Sequence, residues 1–134
     1  MKIIALDPGD VHTGIAVADD LKLLARPYTT VLTVKLEEWL TDLCMKEPLE
    51  TIVLGYPQTL RGTESAQTKK VLLLKENLEK KIPQVQWILW DERLTSKQAQ
   101  QLHSKKIKKD KTKEHAIAAA LILQSFLESL RYKD

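Results

Sequence analysis

The sequence predicts an α/β fold in which five strands form one mixed sheet flanked by helices. Two apolar runs, residues 3–6 and 14–18, are separated by a turn containing Pro8 and Gly9, as in a β-hairpin. Later apolar runs alternate with segments of helical periodicity, as in parallel strands joined by helical crossovers. Residues 116–123 are apolar on nearly every side of a helix, so we expect that helix to pack into the body of the protein.

The first three strands are expected to form an antiparallel meander. The hairpin supplies two strands, and residues 22–34 supply the third. Pro27 predicts an edge position or a bulge in that strand, because proline has no N–H to donate to a neighbour.

The rest of the chain is expected to alternate helices with strands within a single domain, residues 1–134, because no linker or internal repeat interrupts it. In order, we expect a helix at residues 36–46, a buried strand at 50–54, a helix that Pro83 ends, a strand at 85–90, a short helix capped by Thr95 or Ser96, and a final helix at about residues 112–131.

Composition limits the class of protein. The longest apolar run, residues 116–123, is shorter than the roughly 20 residues that a membrane span requires. The N-terminus has no charged-then-apolar leader, and the single cysteine, Cys44, lies on a helical apolar stripe. We therefore expect a soluble cytoplasmic protein with no membrane partner, in which Cys44 is a core thiol.

Positive charge is concentrated in residues 105–113, which contain six lysines and one aspartate. The remainder has 15 basic and 17 acidic residues, a net charge of −2. Such a segment is typical of an exposed loop that lies along a phosphate backbone, although a solvated surface loop is the plainer interpretation. The candidate contacts are Lys105, Lys106, Lys108 and Lys109.

Carboxylates follow two strands that are distant in the sequence. Asp7 ends the first strand, and Asp91 and Glu92 end the strand at residues 85–90. If those strands are parallel, their carboxyl ends meet at one sheet edge, where α/β proteins bind ligands. Converging acids repel each other unless a cation joins them, and oxygen ligands suit Mg²⁺ or Mn²⁺. Each acid alone can also be an ordinary cap or ion pair; Asp91, for example, can pair with Arg93.

Four ordered blocks then resemble the YqgF/RuvX family, and together they cover essentially the whole chain. The blocks are Asp7-Pro8-Gly9 with residues 13–19, residues 53–57 with Gly62 and Thr63, residues 91–96 with Ala99, and the helix at residues 116–127. The resemblance implies an RNase H-like fold and similarity to Holliday-junction resolvases. It also implies a nuclease that matures the 5′ end of precursor 16S ribosomal RNA, although some members have been assigned to junction resolution.

The resemblance implies roles for individual residues. Asp7 would be the central metal-bridging carboxylate and Glu92 the second ligand, with Asp91 either ligating or anchoring the turn. Successive side chains of a strand face opposite sides, which favours Glu92 over Asp91. Arg93 would either bind the scissile phosphate in bidentate fashion or neutralise the acids.

Two positions depart from the family pattern. His115 stands where the family usually has an acid on the last helix, and His12 stands where it usually has arginine in the first loop. Imidazole is a poor Mg²⁺ ligand but acceptable to Mn²⁺, so ligation by His115 favours Mn²⁺. We expect the helix N-terminus to disfavour the protonated His115 ring and leave a nitrogen free. Glu114 is the rival ligand, and the third possibility is that neither binds and the domain holds RNA without cutting it.

The loop after the buried strand is a further candidate contact region. Gly55 and Gly62 permit close backbone approach or positive φ. Thr63 and Ser65 stand at a helix start that either holds a phosphate or is simply capped. Arg61, at the tip of this loop, and His12 in the first loop are candidate nucleic-acid contacts.

Three functional classes follow from these features. The leading class is a divalent-metal nuclease acting on structured RNA such as precursor ribosomal RNA, with branched DNA as the alternative substrate. The second is a nucleic-acid-binding module with weakened catalysis. The third, an ATPase lobe of the actin and sugar-kinase kind, is disfavoured because 134 residues supply only one of its two lobes. We expect a monomer or a weak homodimer.

Overall fold

A five-stranded mixed sheet carries helices on both of its faces. The computed structural model describes residues 2–57, 65–92 and 113–131. The strands are β1 (Lys2–Pro8), β2 (His12–Ala18), β3 (Ala25–Leu32), β4 (Leu49–Tyr56) and β5 (Gln86–Asp91), and the helices are α1 (Leu36–Lys46), α2 (Ala66–Lys81) and α3 (Glu114–Arg131).

The strand order is β3-β2-β1-β4-β5, which puts the first strand in the middle of the sheet. Strands β1, β2 and β3 pair antiparallel, whereas β4 runs parallel to both β1 and β5. The predicted combination of an antiparallel meander and parallel strands is therefore confirmed. Because β1, β4 and β5 run parallel, their carboxyl ends lie at one edge of the sheet.

The third strand is shorter than predicted. It covers Ala25–Leu32 rather than residues 22–34, because a turn precedes it and a 3-10 turn, Thr33–Lys35, follows it. In the first turn Lys22 has φ of 58°, and the Asp19 side chain accepts backbone hydrogen bonds. Pro27 lies on the edge strand, and the register with β2 shifts beside it, so both an edge position and a bulge occur.

The helices begin and end close to the predicted positions. Helix α1 has the predicted bounds, and its last turn precedes Pro48. Helix α2 begins after Ser65, whose side-chain oxygen accepts the backbone N–H of Thr68 at 3.2 Å. Helix α3 begins at Glu114, later than the predicted residue 112. The predicted short helix after Thr95 or Ser96 lies outside the described residues.

Apolar side chains pack on both faces of the sheet. Helices α1 and α2 cover one face, where Leu40 and Leu78 meet Ile4, Leu6 and Ile52. Helix α3 covers the other face with a separate set of buried side chains: Ala119, Ile122, Leu123, Phe126 and Leu127. Burying each large apolar side chain contributes roughly 1.5–3 kcal/mol, so α3 is held firmly against the sheet.

Cys44 is half-buried and packs against the α1 side of the core. Burial raises the pKa of its thiol, which is what an unreactive core cysteine shows. Within the described ranges, no helix combines the length and apolar character needed to cross a bilayer.

Candidate active site

Asp7 stands at the carboxyl end of β1, opposite Gly14 of β2. Its side chain is 15% exposed, and its Oδ2 atom lies 2.9 Å from Nδ1 of His115. These two residues are 108 positions apart in the chain. The contact joins the middle of the sheet to the first turn of α3.

Gly14 brings the first turn of α3 down onto the sheet. A Cβ atom at this position would lie 1.9 Å from the carbonyl carbon of His115 and 2.3 Å from the backbone nitrogen of Ala116. Because both neighbours are backbone atoms, neither can move aside without shifting the helix. Glycine at position 14 is therefore what lets α3 present His115 to Asp7.

Gly9 makes room for the imidazole itself. A Cβ atom there would lie 2.8 Å from Cε1 of His115 and 2.6 Å from the carbonyl oxygen of His12. The backbone N–H of Gly9 donates to that same His12 oxygen at 2.9 Å, which closes the β1–β2 loop. The His115 ring thus lies directly on a tightly closed loop.

Glu92 reaches the same place from β5. The side chains of Glu92 and Asp7 are hydrogen-bond partners. Gly55 of β4 leaves the space for this contact, since a Cβ atom there would lie 3.0 Å from Oε1 of Glu92 and 2.5 Å from Cδ1 of Ile122. Three glycines, Gly9, Gly14 and Gly55, therefore shape the walls around Asp7.

Burial, followed by the negative charge and hydrogen bond of Asp7, raises the pKa of Glu92 to about 7. Asp91 raises it further, and His115 opposes the rise. A hydrogen bond between two carboxyl groups needs one proton, and the raised pKa places that proton on Glu92. The protonated form of Glu92 would donate that hydrogen bond to Asp7.

The pKa of His115 is also raised, chiefly by its hydrogen bond to Asp7, while burial opposes the rise. The charges of Asp7, Glu114 and Glu92 act in the same direction. The expectation that the helix N-terminus would disfavour the protonated ring is therefore wrong. The carboxylate in direct contact outweighs the helix dipole, whose effect is typically 0.3–1 kcal/mol at exposed sites.

The donor chemistry of this cluster fits a hard divalent cation. Two carboxyl groups in contact need either a proton or a cation between them, and the imidazole adds a nitrogen donor. Among the described residues, however, no three His, Cys, Asp or Glu side chains form a group already arranged around an ion. A bound cation would take the place of the proton between the two carboxyl groups and would draw the donors around itself.

The other predicted site residues are placed as follows. Asp91 ends β5 opposite Tyr56, beside the cluster, and acts on it through its charge. Glu114 is exposed and acts on His115 through its charge, so it is His115 that contacts Asp7. His12 is exposed at the start of β2. The remaining candidates lie outside the described residues: Arg61, Arg93, Lys105, Lys106, Lys108 and Lys109.

The sequence reasoning missed a hydrogen-bonded chain of two threonines behind the Asp7 loop. Thr13 is fully buried, and its hydroxyl lies 2.9 Å from that of Thr33. Thr33 in turn donates to the carbonyl oxygen of Gly9 at 2.7 Å. Polar residues in the otherwise apolar strand β2 were the available signal, since a buried hydroxyl needs a partner.

Comparison with known proteins shows the family of this chain. The family described as "RuvX: Holliday junction resolvase" matches residues 1–129. A protein of Phocaeicola vulgatus named "Putative pre-16S rRNA nuclease" is 37% identical over 136 residues, covering 98% of each chain. A protein of the same name from Rubrobacter xylanophilus is 36% identical over 128 residues, covering 95% of this chain and 92% of its own.

Solved structures share the fold at low identity. RuvC of T. thermophilus in complex with a Holliday junction substrate has a TM-score of 0.62 and 13% identity, covering 96% of each chain. The Fowlpox virus resolvase bound to Holliday junction DNA has a TM-score of 0.58 and 16% identity, covering 97% of this chain and 99% of its own. The predicted RNase H-like fold is thereby confirmed. With a family match over residues 1–129 and relatives above 30% identity along nearly the whole chain, this protein belongs to the RuvX (YqgF) family.

Proposed function

We propose that this protein is a divalent-metal-dependent nuclease that hydrolyses phosphodiester bonds in structured RNA, in 5′-end maturation of precursor 16S ribosomal RNA. The observation that carries the proposal is the contact of Asp7 with both Glu92 and His115 at the carboxyl edge of the sheet. The names of the full-length relatives support the choice of RNA.

Each residue of the cluster has a distinct part in this chemistry. Asp7 and Glu92 would hold the cation, and His115 would either supply a nitrogen ligand or orient Asp7 through its hydrogen bond. A bound Mg²⁺ or Mn²⁺ would activate a water and stabilise the charge that develops on the phosphate oxygens. His115 offers a nitrogen donor at the position where the family usually has the oxygen donors of an acid. Mn²⁺ accepts nitrogen more readily than Mg²⁺ does and is therefore the better fit.

The half-buried position of Asp7 matters for this chemistry. At 15% exposure, its charge is screened less than a surface charge would be. Gly9 and Gly55 leave room beside Asp7 for the His115 ring and for Oε1 of Glu92, because a Cβ atom at either position would collide with its neighbours. The chain's own contribution is therefore a preorganised pair of acids.

Branched DNA is the second candidate substrate. The family description names Holliday junction resolution, and two structures of the same fold hold junction DNA. The arrangement of acids alone does not distinguish RNA from DNA, since both present the same phosphodiester. Offering both substrates in one assay decides between them.

The proposal is tested by cleavage of precursor 16S ribosomal RNA with and without Mn²⁺. We expect the wild-type protein to cut in Mn²⁺, the Asp7→Asn variant to lose activity, and Glu92→Gln to lose most of it. Asp20→Asn, which removes an exposed acid from the opposite end of the strands, is the matched control and should cut normally. Equal cutting by wild type and Asp7→Asn, or binding of RNA with no cutting by wild type, overturns the proposal.

A further inference from the structure

A groove of about 600 Å³ runs between the edge strand β3 and the start of helix α3. Residues 27–30 form one wall, and Lys113, Ala116 and Ile117 form the other. The residues that meet at Asp7 do not line this groove, so it is separate from the candidate active site. Its volume lies within the range of ligand sites in proteins, about 300–1,000 Å³.

The groove opens on the face of the sheet that carries the acids. Asp7 pairs with Gly14, and Gly14 pairs with Thr30 in the groove wall. Directly paired residues of antiparallel strands point to the same face, and Asp7 meets His115 on the α3 face. Neighbouring strands lie about 4.8 Å apart, so Thr30 is about 10 Å from Asp7 along this row. The first turn of α3 lies over Gly14, between the acids and the groove.

The charge of the groove favours an anion. Among the described residues that line it, Lys113 is the charged one, and its side chain is exposed. Lys113 forms no ion pair with another described residue, and the acid next to it, Glu114, does not line the groove. Lys113 is also the last of the six lysines in residues 105–113. The groove therefore begins where the most basic stretch of the chain ends, and that stretch attracts anionic ligands.

An exposed aromatic ring stands in the opposite wall. Tyr28 lines the groove and is 52% exposed. Its ring packs against Trp39 of α1 with the two centroids 6.2 Å apart, which limits its rotation. The guanidinium of Arg26, which is also exposed, lies 5.8 Å from the centre of the Tyr28 ring and supplies a second cation. An exposed aromatic ring close to cationic side chains is typical of sites that stack a base and hold its phosphate.

We propose that an unpaired strand of the nucleic-acid substrate lies in this groove, with a base stacked on Tyr28 and a phosphate at Lys113. The inference rests on the proposed function, because it takes that substrate to be a nucleic acid. The 10 Å or so between Asp7 and Thr30 corresponds to about three nucleotides of a stacked strand. The groove thus holds a segment that flanks the scissile phosphate, and this segment reaches the acids by passing the exposed end of α3.

The test compares three RNA hairpins that share one stem. The first is blunt, the second has a short unpaired 5′ tail, and the third has the same tail at its 3′ end. Fluorescence anisotropy is measured in EDTA, so that neither metal nor cleavage contributes. We expect the wild type to bind one of the tailed hairpins about tenfold more tightly than the blunt one, the low end of what stacking a base on one aromatic ring provides.

Variants of the aromatic wall should remove the advantage of the tail. In Tyr28→Ala we expect the ratio of the tailed to the blunt affinity to fall below about twofold, whereas Tyr28→Phe keeps the ring and should keep the ratio. The fluorescent base 2-aminopurine, placed in the tail, should be quenched by the wild type and by Tyr28→Phe but not by Tyr28→Ala. Ile117→Trp, which fills the groove from its other wall, gives a second variant if Tyr28→Ala fails to fold. Met45→Ala, at an exposed position on α1, is the control and should keep the wild-type ratio.

Replacement of the cation should act on the tail alone. Lys113→Gln should lower the salt slope for the tailed hairpin by about 0.7, because one phosphate contact of a single strand is lost, and should leave the slope for the blunt hairpin unchanged. Lys80→Gln, in the last turn of α2, is the matched control and should change neither slope.

Two results overturn the inference. One is equal affinity of the wild type for all three hairpins, and the other is a tail advantage that survives in both Tyr28→Ala and Ile117→Trp. An unchanged salt slope in Lys113→Gln would overturn the phosphate contact. Since no cleavage is measured, failure of the nuclease proposal shows instead in the Asp7→Asn assay.

Discussion

His115 on α3 and Asp7 on β1 are joined by a 2.9 Å contact between Nδ1 and Oδ2. Since Nδ1 faces Asp7, the Nε2 atom is the ring nitrogen that remains for a ligand or a proton. The same contact raises the pKa of His115, so Asp7 orients the ring and favours its protonated form.

Substituting His115 should change the choice of metal. In His115→Asp an oxygen donor replaces the imidazole nitrogen, and Mg²⁺ strongly prefers oxygen. We expect the ratio of cleavage in Mg²⁺ to cleavage in Mn²⁺ to rise about tenfold or more, measured by titrating each metal. Glu114→Gln, at the exposed neighbouring position, should leave the ratio unchanged. An unaltered metal profile in His115→Asp would rule out His115 as a ligand.

Gly14→Ala should be strongly destabilising. The added methyl group meets the backbone of His115 at 1.9 Å, and overpacking against backbone that cannot yield costs about 3 kcal/mol or more. Gly55→Ala is the comparison, because its nearest neighbour is the flexible end of Ile122 at 2.5 Å. We expect Gly55→Ala to lose less stability but to displace Glu92 and lower activity. Urea unfolding of both variants, with a cleavage assay, checks this; equal stability losses would contradict it.

Thr33→Val should slow catalysis while RNA affinity changes little. The valine keeps the shape of threonine but removes the donor to Gly9 and the acceptor for buried Thr13. An unsatisfied buried group costs about 1–3 kcal/mol, and the loop under His115 loosens. We expect kcat to fall several-fold with KM nearly constant, and Thr33→Ser to restore kcat because its hydroxyl remains. A variant whose thermal stability falls while kcat is unchanged would assign Thr33 a purely structural role.

Trp90→Phe should leave stability unchanged or raise it. The indole N–H of Trp90 is buried and has no hydrogen-bond partner among the described residues, and an unsatisfied donor costs about 1–3 kcal/mol. Phenylalanine removes the donor and keeps an aromatic ring against Phe126, which now meets Trp90 edge-to-face at 5.6 Å. Phe126→Ala is the contrasting variant and should cost about 3–5 kcal/mol. A loss above about 2 kcal/mol in Trp90→Phe, measured by urea unfolding, would show that the N–H is bonded in solution.

Cys44 should react slowly with alkylating reagents. Burial raises the pKa of its thiol, so the thiolate fraction at neutral pH is smaller than that of a free cysteine. We expect the rate of modification by iodoacetamide at pH 8 to rise about tenfold or more when the protein is unfolded in urea. A folded-state rate equal to the unfolded-state rate would place Cys44 in contact with solvent.

The sequence by itself determined most of the helices and strands. It also determined the edge of the sheet at which the acids lie. Helical and two-residue periodicities, together with Pro48 and Pro83, are local signals, and they correctly predicted α1 and the combination of an antiparallel meander with parallel strands. Strand ends were harder to predict. The third strand is shorter than predicted because a turn held by the Asp19 side chain precedes it, and because a 3-10 turn follows it, in which the backbone N–H of Thr33 donates to Val11 of a distant loop.

Only the tertiary structure decided which residue of α3 faces Asp7. Adjacent helical residues point about 100° apart, so the choice between Glu114 and His115 depends on how the helix is rotated, and its backbone contact with Gly14 sets that rotation. The direction of the His115 pKa shift likewise required the structure. The helix dipole can be predicted from the sequence, but the opposing carboxylate comes from a residue 108 positions away and becomes a neighbour only when the chain folds.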